Sequence, residues 1–89
     1  MKSIWKYPLH LVESQEIQLP AESEILYIGE QQGELFLWAL VDPKETEFTV
    51  KTILIKGTGE PIEEEGLRHL RTVITEAGLF VWHIFVVEG

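Results

Sequence analysis

The sequence predicts an all-β fold, a small antiparallel β-sheet or meander that a C-terminal hairpin closes. The first observation is Leu35–Val41, an uninterrupted apolar run that Asp42-Pro43 ends. Such a run is too short to span a membrane and is typical of a strand covered on both faces, so Trp38 is expected to be buried. The second is Leu79–Val87, which is rich in aromatic and β-branched residues. These two strands are expected to supply most of the core.

Shorter apolar or alternating segments predict four further strands. They lie at residues 3–7, 16–20, 25–28 and 48–56. Proline cannot donate a hydrogen bond to a strand ladder, so Pro8 either ends the first strand or places it at a sheet edge, and Pro20 indicates that the second is a short edge strand. The segment 30–34 contains Gly33, which suits the positive φ of a hairpin turn between 25–28 and 35–41. Because the strand at 48–56 follows directly, the sequence predicts a three-stranded meander.

The segment Leu67–Thr75 admits two interpretations. Leu67, Leu70 and Ile74 have helical spacing, and acidic residues precede them, so an α+β fold with a helix near residues 62–76 is the alternative. Against the helix, residues 72–75 form a β-branched run, and a glycine turn leads straight into the last strand. We therefore favour a strand at Leu67–Thr75 and a closing hairpin.

Length and composition limit the class of protein. The 89 residues predict a single antiparallel β domain, 1–89, with a core near the lower limit of independent stability. Three Trp, two Tyr and four Phe exceed what so small a core readily covers, which predicts a homo-oligomer. A formal charge of −8 disfavours binding to duplex nucleic acid and to anionic membranes. The absence of cysteine and of an apolar signal sequence predicts a cytoplasmic location.

No residue pattern indicates catalysis. The serines, at positions 3, 14 and 23, lie outside any Gly-x-Ser-x-Gly motif, and there is no cysteine nucleophile. His10, His69 and His83 lack the close spacing of metal ligands. The carboxylates of Glu63–Glu65 are candidates for a metal or acid–base cluster, but an acidic loop of this kind is usually solvated. The sequence therefore predicts a protein that is not an enzyme and uses neither metal nor cofactor.

Two short segments are candidates for ligand binding. The candidate residues are Trp5, Lys6, Tyr7, Gly57, Thr58 and Gly59. A lysine between two aromatic rings suits a nucleotide base and its phosphate, although Trp5 packed in the core with a solvated Lys6 is an equal alternative. A Gly-Thr-Gly loop offers backbone N–H groups and a hydroxyl to an anion, although a plain tight turn is the more frequent explanation.

Several motifs together resemble a known family. Ile4–Leu9, Leu37–Pro43, Gly57–Ile62 and His83–Phe85 are similar to segments of a family of small bacteriophage and prophage proteins known as a domain of unknown function. The acidic stretch Glu63–Glu65 is outside that pattern. The resemblance covers nearly the whole chain and implies a strand at the segment of Leu67–Thr75. By size and chemistry the chain also resembles phage proteins that sequester the cyclic nucleotides of bacterial defence systems such as CBASS and Thoeris.

These observations favour a phage-type protein that binds a small anionic ligand, most simply a cyclic nucleotide, between subunits and without catalysis. The alternative is an acidic interaction protein that mimics nucleic acid and binds a host protein. The positions of the cations in the folded protein would distinguish the ligand-binding hypothesis from the nucleic-acid-mimic hypothesis. Convergence of Lys6, Lys51, Arg68 and Arg71 on one concave site would favour the ligand, whereas scattered cations beside a continuous acidic face would favour the mimic.

Overall fold

Seven antiparallel strands form two sheets in the computed structural model, which describes residues 1–75 and 78–88. The strands are β1 (Ser3–Leu9), β2 (Ser14–Pro20), β3 (Glu24–Gln31), β4 (Glu34–Val41), β5 (Phe48–Gly57), β6 (Leu67–Thr75) and β7 (Phe80–Val87). One sheet has the order β1-β4-β3, and the other has the order β2-β5-β7-β6. The all-β prediction is therefore confirmed.

Two hairpins connect neighbours within the sheets. The β3–β4 turn consists of Gln32 and Gly33, whose φ angles of 53° and 83° are those of a turn that follows the natural twist of paired strands. Strands β6 and β7 pair along almost their whole length, from Leu67 opposite Val87 to Thr75 opposite Phe80. The closing hairpin is thus confirmed and the helix near residues 62–76 is wrong. Residues 76 and 77, which complete the predicted glycine turn with Gly78, lie outside the described part of the chain.

The predicted three-stranded meander ends after two strands. Strand β5 pairs with β2 and β7 rather than with β4, because the chain crosses to the other sheet after Asp42. The Asp42 carboxylate accepts a hydrogen bond from the Lys44 N–H at 3.0 Å, and the Asp42 carbonyl accepts one from the Glu45 N–H at 3.0 Å. These bonds pair the backbone N–H groups of Lys44 and Glu45 and stabilise the turn that leads the chain away from β4.

The core lies between the two sheets, which pack face to face. Its members come from all seven strands and form one cluster: Leu9, Ile17, Leu19, Ile28, Leu35, Leu37, Ala39, Val41, Ile53, Ile55, Val73, Ile84 and Val86. The smallest extent of the Cα positions is 16 Å, which fits two sheets about 10 Å apart.

Strand β4 differs from its prediction in one respect. Its buried residues alternate with half-buried ones, so Leu37 and Ala39 face the core while Phe36 and Trp38 face outward. The strand was expected to be covered on both faces, but the side chains of its outer face are only half-buried. Trp38 is therefore a surface aromatic and not a core residue. Among the described residues there is no helix long and apolar enough to cross a membrane.

Candidate functional site

The outer face of the three-stranded sheet carries a row of aromatic and cationic side chains. Lys6 on β1 and Tyr27 on β3 both lie directly opposite Trp38 on β4. The Lys6 ammonium lies 4.0 Å from the centroid of the Phe36 ring and 5.9 Å from that of Trp38. It also donates a hydrogen bond of 2.6 Å to the Gln31 side-chain oxygen. The cation is therefore held over aromatic faces, where the ring quadrupoles attract it.

The row continues onto the other sheet through Tyr27. The Tyr27 and Trp38 rings are tilted against each other with centroids 5.8 Å apart. On the far side of Tyr27, the guanidinium carbon of Arg71 on β6 lies 4.1 Å from the ring centroid. Cations thus stand at both ends of a pair of aromatic rings. We call Lys6, Trp38, Tyr27 and Arg71 the aromatic–cationic row.

Two β-bulges place Tyr27 and Arg71 in this row. In β3 the register shifts at Leu26, so Ile25 lies opposite the buried Ala39 while Tyr27 lies opposite the outward-facing Trp38. Residues two apart normally share one face, and the extra residue of a bulge reverses that relation. Leu26 therefore moves Tyr27 from the core face to the outer face of the sheet.

The second bulge lies in β6 at Leu70. His69 lies opposite Phe85, on the outer face of the four-stranded sheet, whereas Arg71 lies opposite Ile84, which is fully buried. The bulge therefore turns Arg71 toward the side of the sheet that faces β3. Without it Arg71 would share the outer face with His69 and could not reach Tyr27.

Gly29 provides the space that the Tyr27 ring occupies. A Cβ atom at position 29 would collide with the edge of that ring, which packs directly over the glycine backbone. Gly29 lies opposite Phe36 on the outer face, two residues from Tyr27. A side chain at this position would therefore push the ring away from its place between Trp38 and Arg71.

Beside the row, the ends of β3, β5 and β6 enclose a cleft of about 360 Å³. Three of the seven Lys and Arg residues of the chain line it, namely Lys51, Arg68 and Arg71, together with the Tyr27 ring and the Glu24 carboxylate. We call this the basic cleft. Its charged lining carries three positive groups and one negative group, although the chain as a whole has a charge of −8.

The cations of the basic cleft differ in how they are compensated. Arg68 donates from Nε to the Glu88 carboxylate at 2.8 Å, and both side chains are about half exposed. An exposed ion pair of this kind contributes little to stability and exchanges readily with other partners. Among the residues that the structure describes, Lys51 and Arg71 form no ion pair. Their charges are therefore available to an anion that enters the cleft.

The predicted segment Trp5–Tyr7 is divided between the two faces of β1. Lys6 lies on the outer face with the row, whereas Trp5 lies opposite the buried Ala39 and Tyr7 packs against the core. Burial raises the pKa of the Tyr7 phenol above its ordinary value. The rings that contact Lys6 are therefore those of Phe36 and Trp38, not those of its neighbours in sequence.

The other predicted segment, residues 57–59, lies at the end of β5 in the four-stranded sheet. It forms a turn in which the Gly57 N–H donates to the Glu60 carboxylate at 3.0 Å and the Gly57 carbonyl accepts from the Glu60 N–H at 3.1 Å. The Thr58 hydroxyl is hydrogen-bonded to the His83 ring at 2.7 Å. Within one chain, no described hydrogen bond or cavity joins this turn to Trp5, Lys6 or Tyr7. Their meeting across subunits stays a prediction.

The acidic stretch Glu63–Glu65 has a structural partner. Lys56 on β5 is 4% exposed and donates hydrogen bonds to Glu13 at 2.9 Å and to Glu64 at 3.0 Å. The bond to Glu13, and then that to Glu64, raises the pKa of Lys56. The pKa of Glu64 is lowered by its own backbone N–H first and by Lys56 next. Glu64 therefore attaches the loop before β6 to the outer face of the four-stranded sheet and is not merely solvated.

Two of the three histidines, His69 and His83, form hydrogen bonds on the surface of the four-stranded sheet. Both ring nitrogens of His83 are hydrogen-bonded, one to Thr58 at 2.7 Å and the other to Thr72 at 3.0 Å. Thr72 also contacts the His69 ring at 2.9 Å. Over residues 1–75 and 78–88, no three His, Asp or Glu side chains are grouped as a metal ion would require. These residues form a hydrogen-bonded network on the sheet surface.

Sequence reasoning identified Lys6, Lys51 and the two arginines as cations to follow but missed the aromatic partners. Tyr27, Phe36 and Trp38 were assigned to strands without a role in a site. The alternation of β4 was the available signal, since Phe36 and Trp38 share one face of any regular strand there. The bulges that orient Tyr27 and Arg71 have no comparable signal in the sequence.

The chain is a small two-sheet β domain with a row of aromatic and cationic side chains on its surface. The sequence pattern of a protein family described as a domain of unknown function, DUF7352, matches residues 1–89. The chain belongs to this family. Comparisons with curated proteins and with solved structures found no match.

Proposed function

We propose that this protein binds a small anionic ligand with an aromatic ring, most simply a cyclic nucleotide, and holds it without chemical change. The main observation in support is that Lys51, Arg68 and Arg71 line one cleft beside Tyr27, although the chain as a whole is strongly acidic. Cations that served only to keep the domain soluble would be expected to be spread over its surface. Three of the four cations expected to converge in a ligand site line this one cleft, whereas the fourth, Lys6, lies outside it in the aromatic–cationic row. This partial convergence supports a ligand site over a nucleic-acid mimic.

The chemistry of the site suits a nucleotide in two ways. Guanidinium groups pair with phosphate oxygens in a bidentate geometry, and Arg71 and Arg68 both line the basic cleft. The Tyr27 and Trp38 rings continue from the cleft along the sheet face. The Tyr27 residue is 47% exposed and Trp38 is partly buried, so they offer surfaces on which a base stacks. Phosphate in the cleft and base on the row would use both features at once.

Long-range electrostatics opposes such a ligand, since the domain carries a charge of −8. Binding must therefore come from short-range contacts, which salt screens less than it screens distant charges. In this proposal the cleft supplies those contacts through Lys51 and Arg71, which form no ion pair with the described residues. Sequestration needs affinity alone, so it requires no nucleophile, general base or metal. A phage-encoded protein that removes a defence signal from the host cytoplasm is the biological role we propose on this basis.

Isothermal titration calorimetry and thermal shift against cyclic dinucleotides, cyclic trinucleotides and cyclic ADP-ribose isomers test the proposal. A ligand at a hundred times its dissociation constant is expected to add about 2.7 kcal/mol of stability. Arg71→Gln is expected to weaken binding by about 1.5–3 kcal/mol, the range for a lost hydrogen bond to a charged group. Lys44→Gln is the matched control, because Lys44 is an exposed cation in the turn after β4 and lies outside the cleft.

Lys6→Gln tests whether the ligand contacts the aromatic–cationic row as well as the basic cleft. If the base stacks along the row, this change weakens binding, whereas a ligand confined to the cleft is unaffected. No binding tighter than about a hundred micromolar by any nucleotide in the panel would contradict the proposal, as would equal binding by Arg71→Gln and the parent. In that case the acidic interaction protein becomes the leading hypothesis, and a pull-down with basic host proteins tests it.

A further inference from the structure

A second cavity lies at the opposite end of the two sheets from the basic cleft. It encloses about 390 Å³ between the end of β1, the β3–β4 hairpin and the start of β7. The basic cleft involves Glu24–Ile28 of β3, whereas this cavity involves Glu30 of the same strand. The two sites share no lining residue, although their nearest lining residues on β3, Ile28 and Glu30, are only two positions apart. We call the second one the apolar cavity.

The apolar cavity has a buried floor and an exposed rim. Leu9 and Leu35 form the floor and are each 4% exposed, whereas Leu11 and Phe80 at the rim are 61% and 49% exposed. The Trp82 ring lines the cavity and stacks on Phe80, with centroids 5.9 Å apart and planes at 15°. A volume of this size lies within the range of small-molecule sites, about 300–1,000 Å³.

Trp82 carries an unmet hydrogen-bonding requirement. Its Nε1 atom is buried and has no hydrogen-bond partner among the residues that the structure describes. Buried N–H donors are nearly always paired, because an unpaired one loses its bond to water without a replacement. Because Trp82 lines the apolar cavity but Nε1 is closed to water in this ring position, an acceptor on a bound molecule would supply the missing partner after a small shift of the indole ring.

The charges around the cavity select against anions. Glu30, Glu34 and His10 are the titratable residues that line it, and no lysine or arginine is among its described lining residues. This charge is opposite in sign to that of the basic cleft. A molecule that enters here meets negative potential at the mouth and an apolar floor beneath it.

From these observations we propose that the apolar cavity is a second binding site, for a neutral or cationic aromatic molecule that bears one oxygen acceptor for the Trp82 N–H. The aromatic part packs against Leu9, Leu35 and the Phe80–Trp82 pair. The acceptor takes the indole hydrogen bond. The glutamates exclude carboxylates and phosphates, so the ligands of the two sites belong to different chemical classes.

Three probes with the same ring test the charge and the acceptor separately: naphthaleneacetamide, naphthaleneacetate and naphthylmethylamine. Calorimetry measures their affinity, and the indole N–H resonances in proton–nitrogen correlation NMR spectra report on Trp82. The amide is expected to bind and to shift the Trp82 N–H resonance, which Trp82→Phe identifies by its loss. The acetate is expected to bind at least several-fold more weakly, and Glu30→Gln with Glu34→Gln should reduce that difference.

Trp82→Phe keeps an aromatic ring and removes the donor. It is expected to lower the affinity for the amide roughly fivefold, the equivalent of one hydrogen bond, and to leave the amine unchanged. Phe80→Ala is a second variant in case Trp82→Phe does not fold, and it should weaken all three probes. Phe48→Ala is its matched control, because Phe48 is 52% exposed on β5 and lies outside the cavity.

The proposal is overturned if the folded parent binds neither the amide nor the amine, or if Phe80→Ala binds all probes as tightly as Phe48→Ala does. Equal affinity of parent and Trp82→Phe for the amide would overturn the role of the N–H. None of these results bears on nucleotide binding at the basic cleft, which depends on other residues.

Discussion

Replacement of Gly29 by alanine tests how the Tyr27 ring is held in the aromatic–cationic row. The added Cβ would occupy space that the edge of the ring now fills. Gly29 is not among the glycines with positive φ, so alanine fits its backbone conformation. Tyr27 is 47% exposed, and its ring can therefore swing outward into solvent instead of forcing the strands apart.

The expected cost follows from the contacts that the ring would lose. The contact with Trp38 is worth about 0.5–1.5 kcal/mol, and the cation–π contact with Arg71 about 0.5–1 kcal/mol at an exposed position. Against this, replacing glycine by alanine at a compatible position stabilises by about 0.4–1 kcal/mol, because the unfolded chain loses freedom. Gly29→Ala is therefore expected to destabilise the protein by about 1 kcal/mol net, a modest share of a stability of about 5–15 kcal/mol.

A double-mutant cycle separates the two effects. In a Tyr27→Ala background no ring is present to be displaced, so Gly29→Ala should stabilise by about 0.4–1 kcal/mol. The free energy of unfolding is measured by urea titration for the parent, both single variants and the double variant. The reasoning is refuted if Gly29→Ala has the same effect in both backgrounds within about 0.3 kcal/mol, because the substitution would then act independently of the ring.

Two further predictions concern the two faces of β4 and the ion pairs at Lys56. Leu37→Ala should lower the free energy of unfolding by about 2–5 kcal/mol, since Leu37 is fully buried. Trp38→Ala should lower it by less, because Trp38 lies on the outer face of β4. Urea titration of both variants measures the order of the two effects. The pKa of Glu64 is lowered from 4.5, so its pairing stabilises the fold above about that pH and is lost as the pH falls through the folded-state value. The difference in unfolding midpoint between parent and Glu64→Gln should accordingly shrink on acidification from neutral pH. A constant difference would contradict the ion pair. The pKa of Lys56 is raised from 10.5, so the same pairs should persist at moderately alkaline pH and weaken only as the pH rises through the folded-state value.

Part of the candidate site could be predicted from local sequence. Lys6 was identified as a cation beside aromatic residues, and the structure places it 4.0 Å from the Phe36 ring. Its sequence neighbours Trp5 and Tyr7 point the other way, because successive side chains of a strand alternate between faces. Proximity along a strand therefore indicated the right kind of contact with the wrong partners. The actual partners come from the adjacent strand, and strand pairing is a long-range property.

The sequence by itself determined the secondary structure of this protein. Apolar runs, β-branched segments and the Gln32-Gly33 turn act over a few residues, and they were sufficient to predict an all-β chain with a strand at Leu67–Thr75. Only the tertiary structure decided that β5 joins the second sheet and that bulges at Leu26 and Leu70 bring Tyr27 to Arg71. Sheet order and register depend on how whole faces pack against each other, and a shift of one residue reverses every side chain beyond it. The one-residue shifts in β3 and in β6 bring Tyr27 and Arg71 into contact, which no local pattern in the sequence predicts.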